Sequence, residues 1–488
     1  MSPKMNGKLP RLAILLLSGA VIAATGCTSG LVSSGTSPDA AKGPAFVVGT
    51  DAPLAAVVSF QATITSITAN PSSGSPVCLI SSCTTGVSVD FARFNGLQTL
   101  LDDTDVPQGT YDSVTITLGT STIGYLNTTG SGAPTIQTIT PVTYSPSNSV
   151  TVNLANPLVV AASGGEPVGL RIDFDLAKSI QLTNGAVDGT VDPTFDIRTV
   201  SRTESYAHID ELVGGVVTVP SGTTEPSSFA IQGPHGENFT IDTTSSTQWD
   251  GDASLSTLST SDIVLVAGQM DPADQTLDAD EVAILSDKNF YATGQITYVT
   301  PPPPATGAAT GFDLYVRALE PTDTGLSLGQ IADVSLTGSE KYYVFSMDNP
   351  FTQFLFNSSS LVAGQDVAIG GPASGAANAA DVTVNRIHLR NWGFNGTIVA
   401  NSQDSGKGSF QMQVNGFAGV LIPAPITVYL GGHCDFRYGF GGFGDLSNGT
   451  NIRVVGLLLK NPVTGQLVLW ARHVDGLDFT DFTTAAWD

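Results

Sequence analysis

The chain reads as an all-β protein, an N-terminal β-sandwich followed by three small β-barrel-like repeats, and three observations predict it. From Pro44 onward, short apolar runs alternate with clusters of Gly, Pro, Asn and Asp, the punctuation of strands and turns. No segment there keeps a 3.6-residue apolar period for three turns. From about His208 one order of glycines and strands occurs three times.

Bulk properties narrow the function classes. Of 488 residues, 41% are hydrophobic, which excludes wholesale disorder, and only 13% are charged, a profile of extracytoplasmic β proteins. The formal net charge of −24 arises from 43 acids against 19 bases. Such a field opposes phosphate backbones, so nucleic acid is not an expected partner.

The elements follow in order. Lys4, Lys8 and Arg11 precede an apolar run, Leu12 to Ala24, too short to span a bilayer, and Ala24-Thr25-Gly26-Cys27 closes it as a lipoprotein cleavage site. Residues 1–26 are thus a signal peptide, and Cys27 takes a diacylglycerol that anchors the chain. Residues 27–43 are rich in Ser, Gly, Thr and Ala and form a flexible tether. Thr28 stands where an aspartate marks inner-membrane retention in some bacteria, which favours the outer membrane, periplasmic or surface-facing.

The sandwich spans 44–202. Phe60, Ala62 and Ile64 alternate with polar residues, as do Val114, Ile116 and Leu118, and Val150, Val152 and Leu154. Leu97, Leu100 and Leu101 predict a short helix within Phe91 to Leu101, followed by a turn at Val106 to Tyr111. Cys78 and Cys83 bracket four residues in a Gly/Ser/Pro-rich loop and are expected to bridge as a structural staple. Leu170 to Leu176 alternates so that Arg171, Asp173 and Asp175 share the polar face.

These residues carry a resemblance. Thr50-Asp51-Ala52-Pro53, Val106-Pro107-Gln108-Gly109-Thr110-Tyr111, Asp173-Phe174-Asp175-Leu176 with Ser179-Ile180, and Asp192-Pro193 running into Phe195-Asp196-Ile197-Arg198 stand in the order seen in a bacterial lipoprotein family. The region from about Thr50 to Val200 resembles that family, domain of unknown function 4382. The resemblance implies a β-sandwich and no reaction. The loop around Cys78 and Cys83 is longer here than in the family pattern.

The repeats span 208–287, 288–390 and 391–480. Gly215, Gly294 and Gly396 each open a unit ahead of a strand, and later strands end in Gly268, Gly371 and Gly456. Unequal spacing of these glycines argues against a stacked solenoid and for independent small barrels whose loops absorb insertions. The pattern resembles domain of unknown function 5666, which again implies no reaction. Pro301 to Pro304 predicts a stiff exposed loop in the second unit.

Chemistry is sparse. His208, His235, His388, His433 and His473 lie in no nucleophile elbow or zinc-ligand spacing, and His388 and His473 fall on outer faces of last strands. Two acidic clusters, Asp271, Asp274, Asp278, Asp280 and Glu281, and Asp102, Asp103 and Asp105, lack the pattern of a calcium loop and read as loop carboxylates. Phe436, Tyr438 and Phe440 share a face of a glycine-flanked segment and are the candidate ligand platform, against the plainer reading that they bury on their own barrel. His433 and Cys434 face opposite sides of a strand, against a shared metal site, and Cys434 is left unpaired.

The expected function is therefore a lipid-anchored cell-envelope protein with a non-catalytic binding, adhesion or structural role. It needs no cofactor or metal, and its partners are the membrane, through lipid, and a glycan or another envelope protein. The alternatives are an envelope glycan-acting enzyme using Asp173 and Asp175, and a periplasmic subunit of an envelope complex.

Overall fold

The computed structural model describes residues 42–476 apart from 53–56, 81–82, 84–85, 128–134, 162–167, 184–185, 202–206, 220–221, 234–237, 272–275, 287–289, 302–306, 321–325, 345–355, 372–380, 438 and 462–463. Cys27, His235, Asp274, Tyr438 and most of the Pro301 to Pro304 run lie outside the described residues.

The alternating runs of the N-terminal region form two main sheets. One has the lateral order Thr99–Pro107, Lys42–Ala52, Val168–Asp175 and Phe195–Ser201, its central pair parallel. The other is built on the long antiparallel pair Val57–Pro71 and Gly109–Asn127. A small third sheet joins Ile180–Thr183, Ala186–Val191 and Thr143–Tyr144. Phe60, Phe91, Phe174 and Phe195 fill the space between the main sheets, with Phe174 centred 5.0, 4.8 and 4.7 Å from the other three. Pro107 ends one strand and Gly109 starts the next, and the Tyr111 hydroxyl donates to the Pro107 carbonyl at 2.7 Å. Cys78 and Cys83 are joined in a disulfide, Cα atoms 6.5 Å apart, where the short strand Val77–Cys78 pairs with Val57–Pro71.

Each later unit is a five-stranded closed barrel. The first uses His208–Thr218, Ser227–Gln232, Asn238–Thr243, Ile263–Asp271 and Thr276–Ser286, closed by the parallel pairing of its third and fifth strands. The second uses Tyr291–Thr300, Gly311–Glu320, Ile331–Ser335, Asp366–Gly370 and a fifth strand in two pieces, Asp381–Thr383 and Arg386–Arg390. The third uses Trp392–Ile398, Ser409–Val414, Ile426–Arg437, Asn451–Lys460 and Leu467–Gly476. All three share the lateral order 1-2-3-5-4 returning to 1, with strands 3 and 5 parallel, which is the topology of the OB-fold barrel.

Gly215, Gly294 and Gly396 lie inside strands rather than opening units, as do Gly268 and Gly456, while Gly371 directly follows the strand Asp366–Gly370. A Cβ on Gly294 in the first strand of barrel 2 would collide with the Tyr315 carbonyl oxygen of the second strand, and one on Gly456 would collide with the Trp470 carbonyl of barrel 3. The ladder shifts register at both positions. Glycine is therefore what lets a short strand coil sharply enough to close so small a barrel.

The helix expected over Phe91 to Leu101 is reduced to one 3-10 turn, Phe91–Phe94. Gly96, at φ 78°, breaks it, and Thr99–Pro107 is a strand. The leucine spacing has another cause: Leu97 enters the core of barrel 3, Leu100 that of barrel 1, and Leu101 that of the sandwich. The acidic clusters also lie on strands: Asp102 and Asp105 within Thr99–Pro107, and Asp278, Asp280 and Glu281 within Thr276–Ser286.

Nor are the barrels independent. Phe46 of the sandwich joins the core of barrel 1, Leu457, Leu459 and Val468 of barrel 3 join that of barrel 2, and Tyr315 of barrel 2 packs with Val58 of the sandwich and Phe417 of barrel 3. The described residues form one compact unit.

Gly456→Ala should destabilise the protein by about 3 kcal/mol or more, because backbone must move to admit the methyl group. Gly215→Ala, with nothing within 4 Å of the new Cβ, should change stability by less than about 0.5 kcal/mol. Urea denaturation midpoints of the two variants check this difference, and equal midpoints would contradict it.

Candidate functional site

The strand Val87–Asp90, the turn Phe91–Phe94 and the strap to Gln98 carry polar side chains from the sandwich into the place where the barrels meet. Asn95 Nδ2 donates to the Gly393 carbonyl of barrel 3 at 2.7 Å, and Asp210 of barrel 1 accepts from the Gln98 N–H at 3.0 Å. Glu211, beside Asp210, accepts from Arg93 of the sandwich at 3.3 Å and from Arg390 of barrel 2. Arg390 also faces Asp366 at 3.4 Å.

Arg317 of barrel 2 completes the junction. It donates to the Val58 carbonyl of the sandwich at 2.5 Å and to Gln295 at 3.0 Å, and its guanidinium lies 4.7 Å from the Trp392 ring of barrel 3. Asp90 accepts from the Phe60 N–H at 2.9 Å. Burial raises the Asp90 carboxyl and pushes Asp366 up to about 7, outweighing the opposing charge of Arg390.

A cavity of about 220 Å³ opens at this junction, lined by Val89, Phe94, Leu101, Leu212, Phe239 and Leu319 among apolar side chains and by Asp90, Arg93 and Arg317 among charged ones. Ser88 and Leu328, both exposed, also line it and mark where it reaches the surface.

Two further polar contacts tie the barrels together. Arg386 of barrel 2 grips Asp252 of barrel 1 with two bonds of 2.6 and 3.1 Å, joined by Lys341 at 2.9 Å. Arg472 of barrel 3 stands 2.8 Å from His208 Nε2 of barrel 1. A guanidinium only donates, so the ring accepts and is neutral, in line with a pKa that burial pushes down to about 4.

The residues singled out from the sequence do not converge. Asp173 pairs with Arg171 at 3.1 Å, and Asp175 caps the helical turn Leu176–Ser179, accepting from the Lys178 N–H at 2.9 Å and its ammonium at 2.8 Å. Arg171 is itself buried rather than wet. Phe436 and Phe440 are half-buried against the core of barrel 3. His388 and His473 are both buried, so neither stands on a wet outer sheet face. His388 stacks on Tyr343 at 4.8 Å, its pKa pushed down to about 3 by burial and then by Arg386, while His473 pairs with Asp475 at 2.9 Å. Cys434 is half-buried with its thiol pushed up to about 12 by burial, which makes it a poor nucleophile. Among the described residues no group of three or more His, Cys, Asp or Glu side chains is placed to hold a metal ion.

Sequence reasoning missed Asp90, Arg93, Glu211, Arg317, Asp366 and Arg390. Two of them left a local signal in a chain with so few charges: Arg317 interrupts an apolar run, and Asp210-Glu211 stands between Ile209 and Leu212.

Comparison with known proteins agrees with the N-terminal reading. Residues 46–190, less than a third of the chain, match the family model described as "Domain of unknown function (DUF4382)". No curated protein matches the chain. A solved structure titled "drosophila Unr CSD456" aligns at 10% identity over 55% of this chain and 98% of that one, with a TM-score of 0.14, a likeness too slight to bear on the fold.

The junction makes stability depend on pH in a defined direction. Asp366 has a folded pKa near 7, above an unfolded value of about 3.9. Its contribution is therefore fully present below about pH 4 and is lost as pH rises toward 7. Asp366→Asn removes this dependence, so melting temperatures of the two proteins should diverge between pH 5 and 8, the parent falling relative to the variant. Parallel profiles would contradict the assignment.

Proposed function

We propose that the chain is a lipid-anchored protein of the bacterial cell envelope, held by an acylated Cys27 in a membrane, the outer membrane favoured, with a non-catalytic binding, adhesion or structural role. The observation that carries this reading is the fusion of four modules through shared cores and paired buried charges. Such a body presents its surfaces in fixed relation to one another, which suits display better than a reaction that needs a lid or hinge. In this reading the Ser/Gly-rich residues between Cys27 and Lys42, where the first strand starts, are the tether that holds it clear of the headgroups.

The three barrels are copies of one module, resembling domain of unknown function 5666, on their common strand order and internal glycines. A glycan or a second envelope protein is the partner, with Phe436, Tyr438 and Phe440 as the first residues to test. The OB topology supports oligomer binding by analogy alone. In barrel 2 that analogy lacks a surface, because Tyr315 on its second strand is 1% exposed. Asp173 and Asp175, the pair on which the enzymatic alternative rests, are engaged by Arg171 and Lys178.

Cys27→Ser should move the protein from the membrane fraction to the soluble fraction of cells. Continued membrane retention without acylation would overturn the anchoring account.

A further inference from the structure

The cavity between the sandwich and the first two barrels has the composition of a small-molecule site. Its lining is mostly apolar, with a few charged groups at one wall, and it reaches the surface beside Ser88 and Leu328. At about 220 Å³ it exceeds the roughly 150 Å³ that accommodates benzene.

The charges around it determine what it accepts. Arg93, Arg317 and Arg390 stand with Asp90, Glu211 and Asp366 in one connected group beside it. A ligand with its own charge would have to give up its hydration in a mostly apolar interior, at a cost that apolar contact does not recover. Asp90, Arg93 and Arg317 are the charged residues of the cavity lining. That wall combines a carboxyl with guanidinium donors, and a hydroxyl, which both donates and accepts, suits such a mixture.

We propose that this cavity binds a small uncharged amphipathic ligand, an apolar chain or ring of about ten heavy atoms ending in a hydroxyl, with the hydroxyl toward Asp90 and Arg317 and the apolar part among Leu101, Leu212, Phe239 and Leu319. The site is distinct from the lipid on Cys27 and from any surface platform, so its failure leaves the envelope reading untouched.

Three probes with the same chain test it: 1-octanol, octanoate and octylammonium, each titrated at pH 7 against the soluble Cys27→Ser protein. Octanol should give a saturable rise in Tm of about 2 °C, and the two charged probes should give none. Leu328→Trp and Ser88→Phe alter exposed positions at the opening. They should leave the ligand-free Tm unchanged and abolish the octanol shift. The proposal is overturned if octanol gives no rise, if either charged probe matches it, or if the shift survives in both blocked variants.

Discussion

Glu211 cannot be left alone. It is 2% exposed, and its carboxylate is held by Arg93 from the sandwich and Arg390 from barrel 2 while its own backbone belongs to barrel 1. Breaking a buried pair costs about 3–5 kcal/mol, because the remaining charge stays in a medium that solvates it poorly. Three modules must therefore be in place at once for this residue to be tolerated. The requirement fixes their mutual arrangement more strictly than apolar contact would, since apolar surfaces can slide and repack whereas a guanidinium and a carboxylate need defined geometry.

The same logic explains why the barrels pack rather than hang as beads. A closed barrel has no free sheet edge, so its contacts with neighbours are made by side chains on its outer face. Here those faces carry apolar residues, such as Leu457 and Val468, that only a neighbour can cover. Arg317 and Tyr315 on the second strand of barrel 2 are taken up in the same way, by the sandwich and barrel 3. A face that serves ligand binding in other OB-type barrels is spent here on assembly, which is why topology alone does not assign an activity.

The elements most legible in the sequence are those set by local pattern. Phe60 to Ile64, Val114 to Leu118 and Leu170 to Phe174 alternate as strands because one face of each lies on the sandwich core. The recurring glycines also stood out, although for all of them but Gly215 the meaning lay in a neighbouring segment's carbonyl oxygen, which no local pattern reveals. Leu97, Leu100 and Leu101 mimic a helical face because three separate cores happen to draw on one short strap. The junction was hidden for a related reason. Arg93, Glu211 and Arg390 are separated by more than a hundred residues at each step, so their pairing is a property of tertiary closure.

The central claim is that sandwich and barrels form one body that unfolds as a unit, and scanning calorimetry of the soluble Cys27→Ser protein tests it most directly. A single transition whose calorimetric and van't Hoff enthalpies agree is the predicted result. Separate transitions for the sandwich and for individual barrels would contradict it, and would return the molecule to a string of independent modules.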